Sequence, residues 1–292
     1  MQSCEPHVFS VFVNLRHFSL PMDLSTRDVA LLGAGAGLGY IAARFLTSSG
    51  ADDLDLDDAT LQYFPIPALG EPIRLMYHLA GLKLNDVRIK GLEWKDLKSK
   101  MPASQMPVLT LRSGKQMTQS RAIVRLLGRI AADEGVALYP PNDAATAYAI
   151  DEITDMCMDI QRGLASTFSL DGDARKAARQ SLFHEGGKCI EAAQGLESML
   201  GRYSQAGGGN GAPFAVGSTL STADIFIFTW LNSMRCGFLD DVDPDFLSAF
   251  PNMARVVKAV ASHPQVMSYY AGKDEGVYHC FNAGSSKGKW YA

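Results

Sequence analysis

The segment LQYFPIPALGEPIRL, residues 61–75, decides the fold of this chain because a strand pattern in it is followed by a helix start. Leu61 to Phe64 predicts a short strand. Gly70-Glu71-Pro72 then opens a helix through Leu79, which has proline in its first turn and Gly81 just past its end. A strand followed by a short loop and a helix is the first part of a βαβ unit.

Further elements complete an α/β domain. Strands are predicted at Val87 to Ile89, Val108 to Leu111 and Gln116 to Met117, and a helix is predicted from Ser120 to Arg129. The connection between the first two strands is long enough for parallel pairing, and the turn at residues 113–115 makes the last two a hairpin. With a helical segment around Trp94, the predicted order over residues 59–134 is βαβ-α-ββα.

The region after the linker Tyr139-Pro140-Pro141 is predicted to be all-helical, over residues 141–271. Apolar residues from Ile150 to Leu164 recur at helical spacing, and acidic residues that include Asp159 lie on another side of that helix. Further helices are predicted at Ala174 to Phe183, Lys188 to Leu200, Ala223 to Met234 and Met253 to Ala261.

Two features, one within this region and one after it, carry no predicted chemistry. Ser221-Thr222-Ala223-Asp224 has the S-x-x-D form of a capping box, and we interpret it as a helix start that stabilises the fold. The polar tail, residues 272–292, is predicted to be disordered. Its alternative role is to cover a substrate cleft.

Residues 1–58 differ from the rest and are interpreted as an N-terminal extension. Within them, residues 29–46 (VALLGAGAGLGYIAARFL) are almost uncharged and approach the roughly 20 residues that a membrane span needs. Glycine and alanine contribute little transfer free energy, so a targeting segment or a flexible arm is an equally open interpretation. The expected location is the cytoplasm, with membrane anchoring or organelle targeting through residues 29–46 as the alternative.

Composition excludes several classes of function. The net charge of −4 gives no electrostatic reason to expect a nucleic-acid partner. The five cysteines are scattered, with no C-x-x-C pair and no histidine cluster at metal-ligand spacing. We therefore expect buried, inert thiols in a reducing compartment rather than a disulfide framework.

Five motifs, in this order and spacing, resemble the glutathione-binding domain of cytosolic glutathione transferases, and the sigma class most closely. They are Leu61-Gln62-Tyr63-Phe64, Glu71-Pro72-Ile73-Arg74, Glu93-Trp94-x-x-Leu97-Lys98, Gln105-Met106-Pro107-Val108-Leu109 and Gln119-Ser120-x-Ala122-Ile123. The resemblance, which covers about residues 59–270, implies a thioredoxin-like domain followed by a helical bundle. It also implies a homodimer that takes glutathione as co-substrate and conjugates it to small hydrophobic electrophiles, in detoxification.

Tyr63 is the predicted catalytic residue. A free thiol has a pKa near 8.5, so only a small fraction of glutathione is the nucleophilic thiolate at neutral pH. A phenol has a pKa of about 10, so it keeps its proton and can donate a hydrogen bond to the thiolate. Read without the resemblance, Tyr63 would be a half-buried aromatic residue at a strand end.

The resemblance implies a set of glutathione-binding residues around Tyr63. A cis Met106-Pro107 bond would present the backbone of Met106 to the cysteinyl unit, and the helix start at Gln119 and Ser120 would bind the γ-glutamyl carboxylate. The predicted set is Tyr63, Trp94, Lys98, Gln105, Met106, Pro107, Gln119 and Ser120, with Asp159 contributed by the partner subunit. Four of these residues also have a purely structural interpretation. Trp94 could serve packing, Pro107 could be an ordinary edge-strand proline, Ser120 a plain helix cap, and Asp159 part of a solvated helix face.

Two positions depart from the family pattern. Leu69 stands where many relatives carry an arginine that supports the tyrosine, so activation is expected to rest more heavily on Tyr63. Met158 replaces one of three aspartates that bind a divalent cation in some sigma-class members, so we predict no metal. The alternatives to a conjugating enzyme are a glutathione-dependent isomerase of the prostaglandin D synthase type and a non-catalytic structural member such as a lens crystallin.

Overall fold

A four-stranded sheet covered by helices forms the first half of the chain. The computed structural model describes residues 54–133, 135–206, 211–237, 239–273 and 276–283. The sheet contains β1 (Ala59–Tyr63), β2 (Leu84–Arg88), β3 (Val108–Thr110) and β4 (Gln116–Thr118), and its helices are α1 (Glu71–Leu79), α2 (Gly91–Leu97) and α3 (Ser120–Gly128). The strand order is β2-β1-β3-β4. β1 pairs with β2 in parallel, whereas β3 is antiparallel to both β1 and β4. The predicted βαβ-α-ββα order is confirmed.

The helix α1 is almost completely buried, although it contains two charged residues. Apolar residues such as Ile73 and Leu75 face the sheet and the neighbouring helices, as the periodicity predicts. Glu71 and Arg74 are also buried, at 0% and 3% exposure. They form an ion pair of 3.1 Å one helical turn apart, which compensates the cost of removing each charge from water.

The second half is helical, as predicted. It contains α4 (Ala144–Ala165), α5 (Gly172–Phe183), α6 (Lys188–Ala206), α7 (Thr222–Arg235), α8 (Pro251–Ala261) and α9 (Pro264–Tyr270). Several features were not predicted: α6 is longer at its C-terminal end, α9 is a separate short helix, Phe246–Ala249 forms a 3₁₀ helix, and β5 (Ala132–Asp133) pairs with β6 (Val136–Ala137). Elements as short as α9, β5 and β6 give no periodic signal in a sequence.

The buried helix α7 begins with the predicted capping box. The carboxylate of Asp224 accepts hydrogen bonds from the backbone N–H of Ser221 at 2.8 Å and from that of Ala215 at 2.6 Å. The hydroxyl of Ser221 accepts in turn from the backbone N–H of Asp224 at 3.5 Å. Burial raises the pKa of Asp224 to about 6, and these hydrogen bonds oppose that rise. The box therefore fixes the start of the central helix.

The tail is ordered in part, so the expectation of disorder is wrong for residues 276–283. They contain a 3₁₀ helix, Gly276–Cys280, and Phe281 is buried. The ring of Phe281 stacks on Tyr270 of α9 at 5.4 Å and meets Phe228 of α7 edge-on at 5.8 Å. Aromatic burial of this size offsets the entropy of ordering a short segment.

Residues 1–53 of the extension, which include the stretch 29–46 and Cys4, lie outside the described residues. Among the described helices, none combines the length and the apolarity that crossing a bilayer requires. Cys157, Cys189, Cys236 and Cys280 are buried, as predicted. Burial raises the pKa of Cys157 to about 12 and that of Cys189 to about 11, which keeps both as thiols at neutral pH.

Candidate active site

The sheet register brings three of the predicted site residues to one end of the sheet. β1 ends at Tyr63, β3 begins one residue after Pro107, and β4 ends one residue before Gln119. The last-but-one residue of β1 pairs with the first residue of β3, which pairs with the last residue of β4. Tyr63, Pro107 and Gln119 therefore lie at neighbouring strand ends.

Tyr63 is held so that its hydroxyl proton stays available. Its phenolic oxygen accepts a hydrogen bond of 3.2 Å from the backbone N–H of Leu69. The residue is 5% exposed, and burial raises its pKa to about 12, against the opposing effects of the Leu69 N–H and the Arg74 charge. A phenol that accepts through its oxygen and remains protonated can still donate its own hydrogen to a second partner.

Gly70 makes room for the Tyr63 ring. A Cβ atom at position 70 would lie 2.4 Å from Cδ1 and 2.8 Å from Cγ of Tyr63. Both distances are far shorter than a normal contact between carbon atoms. Glycine at this position therefore lets the ring pack directly against the loop backbone.

Arg74 ties the loop after Tyr63 to the helix α1. Its guanidinium donates to the carbonyl oxygens of Ile66 at 3.0 Å and Phe64 at 3.4 Å, and its Cζ lies 5.7 Å from the centroid of the Tyr63 ring. It also forms an ion pair of 3.0 Å with Asp86 of β2. Arg74 therefore places a cation beside the Tyr63 phenol, although residue 69 is uncharged. The charge of Arg74 is already paired with the carboxylates of Glu71 and Asp86.

Met106 and Pro107 are joined by a cis peptide bond, as predicted. Pro107 is buried and Met106 half-buried, whereas Gln105 is exposed. β3 begins only at Val108, so the backbone of Met106 lies outside the paired residues of the strand. The predicted strand-like pairing of Met106 with a bound tripeptide stays a prediction.

Gln119 and Ser120 stand at the start of α3. Ser120 is the first helical residue and is buried, whereas Gln119 precedes the helix and is exposed. Gln119 has φ of +68°, a conformation that is uncommon for residues other than glycine and that clusters at functional sites. The free N–H groups of a helix start suit a carboxylate.

The rings of Tyr63, Phe64 and Trp94 form a row of aromatic contacts. The rings of Tyr63 and Phe64 meet edge-on at 5.5 Å, and those of Phe64 and Trp94 at 5.7 Å. Lys98 follows α2 and is exposed. It forms no ion pair with any residue in the described ranges, so its ammonium group is available to a ligand.

Asp159 lies on α4, where it forms an ion pair with Arg162. Both residues line an open groove of about 1190 Å³ among α4, α5 and α6, and Tyr63 does not belong to that groove. The predicted contact between Asp159 and the glutathione of a partner subunit stays a prediction. Within the described part of the chain, no three His, Cys, Asp or Glu side chains are grouped so that they could hold a metal ion.

A polar network behind Tyr63 was not predicted from the sequence. The buried carboxylate of Glu71 accepts from Arg74, from the hydroxyl of Tyr270 at 2.9 Å and from that of Tyr278 at 3.2 Å. The one local signal was the spacing of Glu71 and Arg74, three residues apart in a helix with an otherwise apolar face.

The fold and the site define a class of protein: a thioredoxin-like domain, with a cis-proline before β3 and a tyrosine at the end of β1, followed by a helical domain. The family model "Glutathione S-transferase, C-terminal domain" matches residues 158–273. Glutathione S-transferase 1 of Ascaris suum is 30% identical over 223 residues, which cover 75% of this chain and 98% of that relative. The chain belongs to the glutathione S-transferase family.

Two further similarities are informative. S-crystallin 4 of Enteroctopus dofleini is 28% identical over 218 residues, which cover 72% of this chain and 94% of that protein. The solved structure of a sigma class GST from Fasciola hepatica matches with a TM-score of 0.59 at 24% identity, covering 76% of this chain and 98% of that structure. At that identity the second similarity supports the fold.

Proposed function

We propose that this protein is a glutathione transferase in which the hydroxyl of Tyr63 stabilises the thiolate of bound glutathione. The observation that carries the proposal is the environment of that hydroxyl. Its oxygen accepts from the Leu69 N–H, and burial raises the pKa of Tyr63 to about 12. The phenol therefore stays protonated at neutral pH, where it donates its hydrogen to the sulfur.

The strand ends beside Tyr63 offer complementary contacts for the rest of the tripeptide. The backbone of Met106, supported by Pro107 and next to Gln105, would pair with the cysteinyl unit. Gln119 and Ser120 would bind the γ-glutamyl carboxylate at the start of α3.

The remaining contacts concern the glycyl end and the amino group of glutathione. Trp94 and Lys98 would hold the glycyl end, with Lys98 contributing its charge. Asp159 of a partner subunit would bind the amino group across the interface of a homodimer. We further propose a sigma-type enzyme of the cytoplasm that conjugates small hydrophobic electrophiles in detoxification.

The proposal is tested by titrating the thiol of bound glutathione through the ultraviolet absorbance of the thiolate. In the unmodified chain the pKa of the bound thiol should fall about two units below its free value of about 8.5. Tyr63→Phe should restore a value near that of free glutathione and reduce the rate of conjugation to an aryl halide about 100-fold.

The matched control for this test is Tyr203→Phe. It removes a phenol that donates to Glu152 at 2.6 Å and that belongs to α6. This control should leave both the titration and the rate unchanged. Equal rates in the unmodified chain and in Tyr63→Phe would refute the mechanism.

A second candidate is a structural protein that binds glutathione without turning over. The similarity to S-crystallin 4 and the uncharged Leu69 favour it. Binding to immobilised glutathione, with no turnover of aryl halides, peroxides or isomerisable endoperoxides, would support this candidate. Isomerisation of an endoperoxide without conjugation would instead identify the prostaglandin D synthase type of enzyme.

A further inference from the structure

The segment 276–283 is joined to the helix that carries Glu71 and Arg74 by one phenol. The hydroxyl of Tyr278 donates to Oε2 of Glu71 at 3.2 Å and accepts from a guanidinium nitrogen of Arg88 at 3.2 Å. Its ring lies 5.8 Å from that of the buried Phe281. Tyr278 thus bridges an acidic and a basic residue of the thioredoxin-like half.

Both residues that form hydrogen bonds with the Tyr278 hydroxyl are connected to the strand that carries Tyr63. Arg88 is paired with Tyr63 in the parallel register of β1 and β2. The carboxylate of Glu71 binds Arg74, whose guanidinium holds the carbonyl oxygens of Phe64 and Ile66. Further along the same loop, the N–H of Leu69 donates to the oxygen of Tyr63.

The buried charges of Glu71 and Arg74 make the contacts between them sensitive to the loss of the Tyr278 hydroxyl. Glu71 is fully buried, so each donor to its carboxylate replaces a water molecule that is unavailable there. Asp86 sits between Arg74 and Arg88 and accepts from both. Arg74 is ion-paired with both Glu71 and Asp86. When Glu71 loses a donor, its carboxylate attracts Arg74 more strongly relative to Asp86, so the guanidinium is expected to shift.

We infer that Tyr278 is a positioning residue for the transferase reaction: through Glu71 and Arg74 it fixes the loop 64–70 and thereby the hydroxyl of Tyr63. The inference rests on the proposed function, because it assigns Tyr278 to the same thiolate-stabilising site. The segment lies after residues 158–273, the part that matches the family model. This chain therefore contains a support for its catalytic tyrosine outside the matched domain.

The test compares Tyr278→Phe with Tyr203→Phe in the full chain. Both substitutions remove a phenolic hydroxyl that donates to a glutamate, and both keep the ring. Tyr278→Phe should raise the pKa of bound glutathione and lower kcat about 5- to 10-fold, with KM for glutathione within about 2-fold. Tyr203→Phe should change none of these quantities. Unchanged titration and kcat in Tyr278→Phe would overturn the inference.

A double substitution separates positioning from a general loss of stability. If Tyr278 acts through the hydroxyl of Tyr63, its removal should have no further effect on kcat in a Tyr63→Phe background. An equal loss in both backgrounds would contradict the assigned route. Thermal unfolding of each variant shows whether the folded fraction is the same at the assay temperature.

Hydrogen exchange tests the inference without catalysis. In Tyr278→Phe the amides of the five non-proline residues in 64–70 should exchange about 10-fold faster than in the unmodified chain, and in Tyr203→Phe they should not. If the unmodified chain showed no thiolate at all, the proposed function would fail. Faster exchange in residues 64–70 would then still support the structural link, whereas unchanged exchange would refute it.

Discussion

The backbone N–H of Leu69 donates a hydrogen bond of 3.2 Å to the phenolic oxygen of Tyr63. The side chain at position 69 is uncharged, yet the backbone of that residue contacts the group that is proposed to activate the thiol. The neighbouring cation is Arg74, whose Cζ lies 5.7 Å from the ring centroid and whose charge is shared with Glu71 and Asp86. The Tyr63 phenol is therefore supported by a backbone N–H of the loop and by Arg74, a cation whose charge is balanced by two carboxylates.

Gly70→Ala should displace the Tyr63 ring. The added Cβ would lie 2.4 Å from Cδ1 of that ring, so either the loop or the ring must move. We expect a loss of about 1–3 kcal/mol in the free energy of unfolding and a rate close to that of Tyr63→Phe. Urea denaturation and the aryl halide assay measure these effects. Gly91→Ala is the control, because no atom lies within 4 Å of its added Cβ; equal behaviour of the two variants would contradict the prediction.

Ser233→Ala should loosen the same loop from the helical side. The hydroxyl of Ser233 in α7 accepts a hydrogen bond of 3.1 Å from the buried backbone N–H of Ala68. Removing the acceptor leaves that N–H unpaired, which costs about 1–3 kcal/mol of unfolding free energy. Urea denaturation should show a lower midpoint with an unchanged slope. Ser198→Ala, at an exposed position of α6, should leave the midpoint within error of the unmodified chain.

Lys98→Ala should weaken glutathione binding without slowing the chemical step. An exposed ammonium that contacts the glycyl carboxylate contributes equally to the ground state and the transition state. We expect KM for glutathione to rise about 3- to 10-fold, with kcat unchanged and the effect smaller at high salt. Steady-state kinetics at two ionic strengths give both quantities. Lys95→Ala removes a second exposed lysine of the same segment, and a similar KM for both variants would argue against a contact at Lys98.

The stability of the fold should depend on the ionisation of Asp224. Burial raises the pKa of this carboxyl from 3.8 to about 6 in the folded state. The folded state then binds more protons than the unfolded state between these values, so the contribution of Asp224 to the free energy of unfolding falls as pH rises through this window. The full decrease is about 3 kcal/mol.

The measurement is the difference in unfolding free energy between the unmodified chain and Asp224→Asn at several pH values. This difference should decrease from pH 4 to pH 7, because the amide does not titrate. A constant difference, or one that grows with pH, would show that the hydrogen bonds from Ser221 and Ala215 outweigh burial.

Local patterns in the sequence predicted the elements that carry the site. The strand at Tyr63, the helix that begins at Glu71 and the capping box at Ser221 each depend on residues close together in the chain, so their signals are present in the sequence itself. The cis bond at Pro107 was predicted from the family resemblance.

The supporting contacts behind Tyr63 had no comparable signal. Tyr278 and Glu71 are separated by 207 positions, and a polar tail gives no indication of which buried carboxylate it meets. The bond from Leu69 to Tyr63 involves a main-chain atom, so the identity of the side chain does not reveal it. Such contacts depend on the tertiary fold, which brings distant residues and backbone groups together.

The hydrogen bonds of the Glu71 carboxylate also have a consequence for folding during protein synthesis. Two of its donors, Tyr270 and Tyr278, follow it by 199 and 207 positions. While the ribosome still holds those residues, the first half of the nascent chain has a glutamate that cannot be buried with its full set of hydrogen bonds. We therefore expect the hydrogen bonds around Glu71 to be completed only after the C-terminal segment has emerged.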